Sequence, residues 1–144
     1  MATSKKTTYT CPAVPGSKRT SHRPYTHAVV GRYNCAQARI NVANKAWTDQ
    51  DAKNYGYAKR EAAAGDERAA ATLARFPTVE AYVADCVARR VERINEEHGT
   101  GPMGELVVLQ WSMSAANAAK GCGQWKHWLE VHVVECVPAD AVPA

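Results

Sequence analysis

The pattern of hydrophobic and polar positions changes its period twice along the chain. Thr7-Thr8-Tyr9-Thr10-Cys11 is rich in β-branched and aromatic residues that suit a pleated surface. Pro12 to Ser17 interrupts it with two prolines and a glycine, the composition of a turn. The chain resumes at Lys18 and runs through Tyr25-Thr26-His27-Ala28-Val29-Val30 to Gly31, so a β-hairpin is predicted over 7–31. Pro24 lacks a backbone donor, which makes the second strand an edge strand or one that bulges there.

From 34 to 98 the spacing is helical. A first helix opens at Ala36. Thr48-Asp49-Gln50-Asp51 has capping-box spacing, predicting a second helix from about Asp49 to Ala64 with Gly65 as its stop. Asp66-Glu67 would cap a short Ala-rich helix ending at Phe76-Pro77. Thr78 caps the clearest element, in which Val79, Tyr82, Val83, Cys86, Val87, Val91 and Ile94 form one stripe. Arg89, Arg90, Glu92, Arg93, Glu96 and Glu97 lie mainly on its other face, and Gly99 to Pro102 stops it after His98.

Glu105 to Trp111 is apolar on both alternating sets, as in a strand covered on both faces. Ser114 caps a short helix, Ala115 to Lys120, closed by Gly121; Trp128 to Val137 is the last strand, and the tail from Pro138 reads as frayed. The fold class expected is α+β, with a small, mostly antiparallel sheet made of the N-terminal hairpin and two C-terminal strands. Several helices pack on it, the Val79–Ile94 stripe facing the sheet. The reading places 1–144 in a single domain with three parts: a basic hairpin (7–31), a helical region (34–98) and a strand-helix-strand segment (105–137).

Composition bounds the function. With 46% apolar and 22% charged residues the chain reads as globular rather than disordered. No apolar run reaches the roughly eighteen residues that span a bilayer, and the charged N-terminus lacks the apolar core of a secretory signal. Five scattered cysteines, an odd number, suit reduced thiols better than a disulfide framework. The expected location is therefore the cytoplasm.

Charge changes the picture most. The net +4 hides a division, because residues 1–60 carry eleven Lys and Arg against two acids, and residues 61–144 carry seven against twelve. No acid precedes Asp49. Such asymmetry points to an acidic partner, either nucleic acid (DNA or RNA) or an acidic protein. Lys18, Arg19, Arg23, Arg32 and Arg39 are the candidate phosphate contacts, with Tyr25 available to stack or donate. On one regular strand Arg19, Ser21, Arg23, Tyr25 and His27 would share a face. The competing reading is that the acidic half, including Glu92, Glu96 and Glu97, pairs with this basic segment within the fold. Trp125 and Trp128, near a strand end, are candidate anchors for a protein partner.

Other chemistries find less support. His127, His132 and Cys136, or His22 with His27, do not offer paired zinc-ligand spacings, so no metal site is expected. No nucleophile elbow or phosphate loop is present, and Gly99, Gly101 and Gly104 follow a helix where a dinucleotide fingerprint would follow a strand. No catalytic residue and no cofactor are nominated.

The segment Thr8-Tyr9-Thr10-Cys11-Pro12, Lys18-Arg19-Thr20-Ser21 and Arg23-Pro24-Tyr25-Thr26-His27-Ala28-Val29-Val30 resembles one found in small uncharacterised phage-encoded accessory proteins of high-GC bacteria. That resemblance covers about the first thirty residues and carries no fold, reaction or site residue. It implies a cytoplasmic accessory protein, acting in the host. The leading expectation is a small non-enzymatic nucleic-acid-binding module using the basic hairpin. The alternative is a protein-binding inhibitor or adaptor acting on a host or defence protein. A small hydrolase or nuclease whose site assembles only in space is the third.

Overall fold

The computed structural model describes residues 5–141, and the chain divides into two compact units. In chain order the elements are β1 (Thr7–Thr10), β2 (Arg19–Ser21), β3 (His27–Tyr33), α1 (Cys35–Asn41), α2 (Lys45–Ala63), α3 (Glu67–Arg75) and α4 (Val79–His98). After these come β4 (Leu106–Ser112), α5 (Ala115–Cys122), β5 (Trp128–Glu135), β6 (Val137–Pro138) and a 3-10 turn at Ala139–Ala141. One unit joins both ends of the chain, residues 1–34 and 103–144; the other is residues 35–102. The fold class is α+β with antiparallel sheets, as the sequence pattern implies.

In the terminal unit the strands form two sheets, ordered β2-β1-β6 and β4-β3-β5, where the sequence suggests one. Pro24 is the physical reason. It has no N–H to give to a ladder and restricts Arg23 before it, and Arg23 N–H turns back to Ser21 Oγ at 3.0 Å. The strand expected from Lys18 to Gly31 therefore stops at Ser21, and β3 starts afresh in the second sheet. β2 is an edge of the first sheet. β3 is central, with Ala28, Val29 and Val30 fully buried.

The hairpin itself is closed by Cys11 and Ser17. Val14 N–H donates to the Cys11 carbonyl, Cys11 N–H donates to Ser17 Oγ at 3.0 Å, and Gly16 takes a φ of 84° that other residues adopt at a cost. Cys11 and Val14 pack on Ala28, Val30 and Trp111, while Tyr9, Tyr25 and Cys136 form an adjoining cluster on Trp111. One face of the second sheet is thus covered by the first. Gln110 alternates with Trp111, so it points to the opposite face, and there α5 packs across β3, β4 and β5. Within this unit the sheet's helical cover is α5.

Two glycines are set by close approach. A Cβ at Gly31 would stand 3.0 Å from Leu109 Cδ1 and 3.2 Å from Val131 Cγ2, so this glycine lies inside β3 instead of ending it. A Cβ at Gly121 would meet the Gln110 carboxamide at 2.6 Å, and α5 continues through it to Cys122. β4 is an edge strand, and although the first sheet and α5 lie on its two faces Val107 stays 37% exposed. Pro138 pairs with Tyr9 where an irregular tail was expected; residues 142–144 lie outside the described residues.

In the helical unit Asp66 and Thr78 cap α3 and α4 as their sequence positions imply, accepting from Ala69 N and Ala81 N. Gly65 and Gly99 take φ of 99° and 88° just beyond two of the helix ends. The start of α2 differs. Asn44 caps it, accepting from Trp47 N–H at 3.1 Å, so Thr48 and Asp51 lie inside the helix. Asp51 is only 5% exposed. Its carboxylate accepts from Arg90 Nη1 at 2.9 Å and Nη2 at 2.7 Å, and the same guanidinium donates to the Val42 carbonyl and stacks 4.7 Å from the Trp47 ring. One arginine on α4 thereby ties α2 to the end of α1. Tyr55 adds a second tie, donating from its hydroxyl to the Phe76 carbonyl at 2.7 Å.

Candidate nucleic-acid interface

The division of charge follows the division of the fold. The terminal unit holds eight Lys and Arg against four acids, and the helical unit holds ten of each. All of the net charge therefore belongs to the unit that contains the hairpin.

Lys18, Arg19, Thr20 and Arg23 are exposed at β2 and the bend that follows it. The row of five residues on one strand face does not form, because the strand breaks. The bend nevertheless brings Arg19, Ser21 and Arg23 around the Tyr25 hydroxyl. A hydrogen bond from Ser21, then one from Arg19 and the positive charge of Arg19 and Arg23, pull the Tyr25 phenol below its ordinary pKa against the opposing effect of desolvation. Among the described residues, no carboxylate forms an ion pair with Lys18, Arg19 or Arg23.

Tyr25 itself is 9% exposed, its ring set edge-on to Tyr9 at 5.5 Å and 6.2 Å from Trp111. Its ring belongs to the core, which removes the stacking role, and its hydroxyl is engaged by Ser21 and Arg19. Thr8 and Thr20 hydroxyls meet at 2.8 Å across the hairpin, fixing the register that sets Arg19 opposite Tyr9.

The other two arginines are spent on structure. Arg32 Nε pairs with Glu130 at 2.8 Å and its Nη1 donates to the Gly104 carbonyl. This pair sits at a bulge between β3 and β5, where Glu130 takes a φ of 53°. Arg39 lies in the helical unit and donates to the carbonyls of Gly99 and Gly101, both at 2.8 Å, and to Asn95 Oδ1 at 3.0 Å. It closes the C-terminal end of α4. Trp125 and Trp128 stand edge-to-face at 6.3 Å, with Tyr33 5.2 Å from Trp128, all half-buried. They form one aromatic wall.

His27 lies in register between Ser112 and Glu135, yet its Nδ1 is engaged with Thr26 Oγ1 at 2.8 Å and neither neighbour is hydrogen-bonded to it. Among the described residues, no three His, Cys, Asp or Glu side chains gather as a metal-binding group. Among the same residues, no helix is long and apolar enough to cross a membrane.

Next to the hairpin corner, a cleft of about 530 Å³ opens between the 23–25 bend, the end of β4 and α5. Its polar lining comes from Arg23, Gln110, Ser112, Asn117, Lys120 and Gln124, with Tyr25 and Trp111 at its apolar side. Lys120, Asn117 and Gln124 are not among the residues that sequence reasoning singled out. A legible signal was present, since Gln110 and Ser112 interrupt the otherwise apolar β4 at alternate positions. Comparison of this chain with protein families, with curated proteins and with solved structures found no match.

Proposed function

We propose that the terminal unit binds nucleic acid, with Lys18, Arg19 and Arg23 contacting phosphates. The observation that carries this reading is a cluster of exposed cations without carboxylate partners among the described residues, held on a closed hairpin in the unit that bears all the net charge. Lys and Arg neutralise phosphates and release their counterions, while the Ser21 and Thr20 hydroxyls and backbone donors fix position along the chain. β2 is an exposed edge only three residues long, so the hairpin presents its side chains to the ligand. Arg32 and Arg39 take no part, because their guanidinium groups are committed to Glu130 and to the end of α4.

Binding to duplex DNA, single-stranded DNA and single-stranded RNA over a salt series tests the reading. Three phosphate contacts give a log–log slope of about −3 on duplex and about −2 on single strands. Absence of binding to all three at low salt refutes it. Capture of a protein from a nuclease-treated lysate, with no nucleic-acid binding, would point to the inhibitor or adaptor alternative.

A further inference from the structure

The cleft beside the hairpin has a chemical character of its own. Its lining includes two cations, Arg23 and Lys120, and no carboxylate. Among the described residues, the Lys120 ammonium and the Asn117 and Gln124 carboxamides make no hydrogen bond or ion pair, and the Arg23 guanidinium makes no ion pair. Gln110 differs. Its Nε2 donates to Ser112 Oγ at 3.3 Å, and Ser112 is itself only 4% exposed. The carboxamide lies where only a glycine at 121 lets α5 come so close. Glycine is a poorer helix former than alanine, and its place inside α5 is explained by this close approach of Gln110. The floor is thus rigid and the rim carries unused donors.

Two cations without acids select an anion. Carboxamides present a donor and an acceptor side by side, the geometry that reads the edges of nucleobases. The volume, about 530 Å³, falls within the range of small-molecule sites. We propose that this cleft is a subsite for a single nucleoside monophosphate unit, its phosphate held by Arg23 and Lys120 and its base edge by the carboxamides of Gln110, Asn117 and Gln124. The proposal rests on the nucleic-acid reading above and deepens it, because Arg23 stands both at the hairpin corner and on the cleft wall. A strand lying across the hairpin would deliver one nucleotide into the cleft.

The test uses the full chain and the four ribonucleoside monophosphates, with inorganic phosphate and the unphosphorylated nucleosides as comparisons. Binding is followed by calorimetry and by the side-chain amide and Trp111 indole resonances. At least one monophosphate should bind about tenfold more tightly than inorganic phosphate and than its own nucleoside, shifting the Gln110, Asn117 and Gln124 amide signals. Lys120→Gln should weaken that binding about tenfold, as expected for loss of a charge-assisted contact. Gly121→Ala displaces the Gln110 carboxamide without changing charge and should weaken base-dependent binding while the chain stays folded, checked by circular dichroism. Inorganic phosphate binding as tightly as every monophosphate overturns the proposal. So does oligonucleotide binding that is lost with Lys18→Gln/Arg19→Gln but unchanged by Lys120→Gln and Gly121→Ala; that result leaves the hairpin reading standing. Monophosphate binding that persists when oligonucleotides do not bind overturns the hairpin reading instead.

Discussion

Replacing Asp51 by alanine strands the Arg90 guanidinium. That cation keeps only its bonds to the Val42 carbonyl and its place beside Trp47, with four-fifths of its side chain out of solvent. Two short charge-assisted hydrogen bonds, at 2.7 and 2.9 Å, are lost together. Breaking a buried pair from one side costs about 3–5 kcal/mol. A unit of 68 residues has total stability of about 3–10 kcal/mol at usual per-residue values, so the loss is a large share of it. In urea, with a slope of about 2 kcal/mol/M, the midpoint followed by helical circular dichroism should fall by about 1.5–2.5 M. Arg90→Met alone should cost nearly as much, by leaving Asp51 buried without a partner. The Asp51→Leu/Arg90→Met double variant should recover part of the loss, because well-packed apolar residues can replace a buried pair. A loss below about 1 kcal/mol for Asp51→Ala refutes the assignment of this pair as the tie between α2 and α4.

Further outcomes follow from other contacts. Arg39→Ala removes three hydrogen bonds at the end of α4 and should lower thermal stability by about 1–2 kcal/mol; its oligonucleotide affinity should match wild type, and a loss equal to that of Arg19→Ala contradicts its structural role. Gly31→Ala should cost about 1–3 kcal/mol in urea unfolding through overpacking against Leu109 and Val131, and an unchanged midpoint contradicts the packing described. Burial pushes the Cys11 and Cys136 thiols up, so the unfolded chain loses these protons first as pH rises. Their contribution is complete below about pH 8.5, the unfolded value, and is lost progressively as pH climbs through the native values. Urea midpoints at pH 7.5 and 9.5 should show that fall, and it should shrink in Cys11→Val/Cys136→Val measured against its own pH 7.5 value, the remainder coming from Cys86, whose thiol burial also pushes up.

Local chemistry was readable wherever it was self-sufficient. The caps Asp66 and Thr78 act on backbone N–H groups three residues away, so sequence spacing alone places α3 and α4. Thr48 to Asp51 has equally good capping spacing, yet Asp51 finds Arg90 thirty-nine positions away, and no local pattern reports that pairing. Arg90 itself reads as a solvent-face residue between Arg89 and Val91. The same limit applies to charge. A count over the first sixty residues registers Arg32 and Arg39 as equal to Arg19, whereas Glu130 and the α4 carbonyls hold the first two. Pro24 signalled an interruption correctly, but whether a strand bulges or changes sheets depends on pairing partners distant in sequence. Gly121 reads as a helix stop because a close approach by Gln110 is invisible in one dimension.

Phosphate contact by Lys18, Arg19 and Arg23 is read out by the salt dependence of oligonucleotide affinity. Measured between about 20 and 200 mM salt, the wild-type chain should give a slope of about −3 on duplex, falling to about −1 or shallower in Lys18→Gln/Arg19→Gln/Arg23→Gln, where Lys120 is the cation that remains. Arg32→Gln and Arg39→Gln should leave the slope as it is. A triple variant that binds with the wild-type slope would show that these three side chains do not contact phosphates.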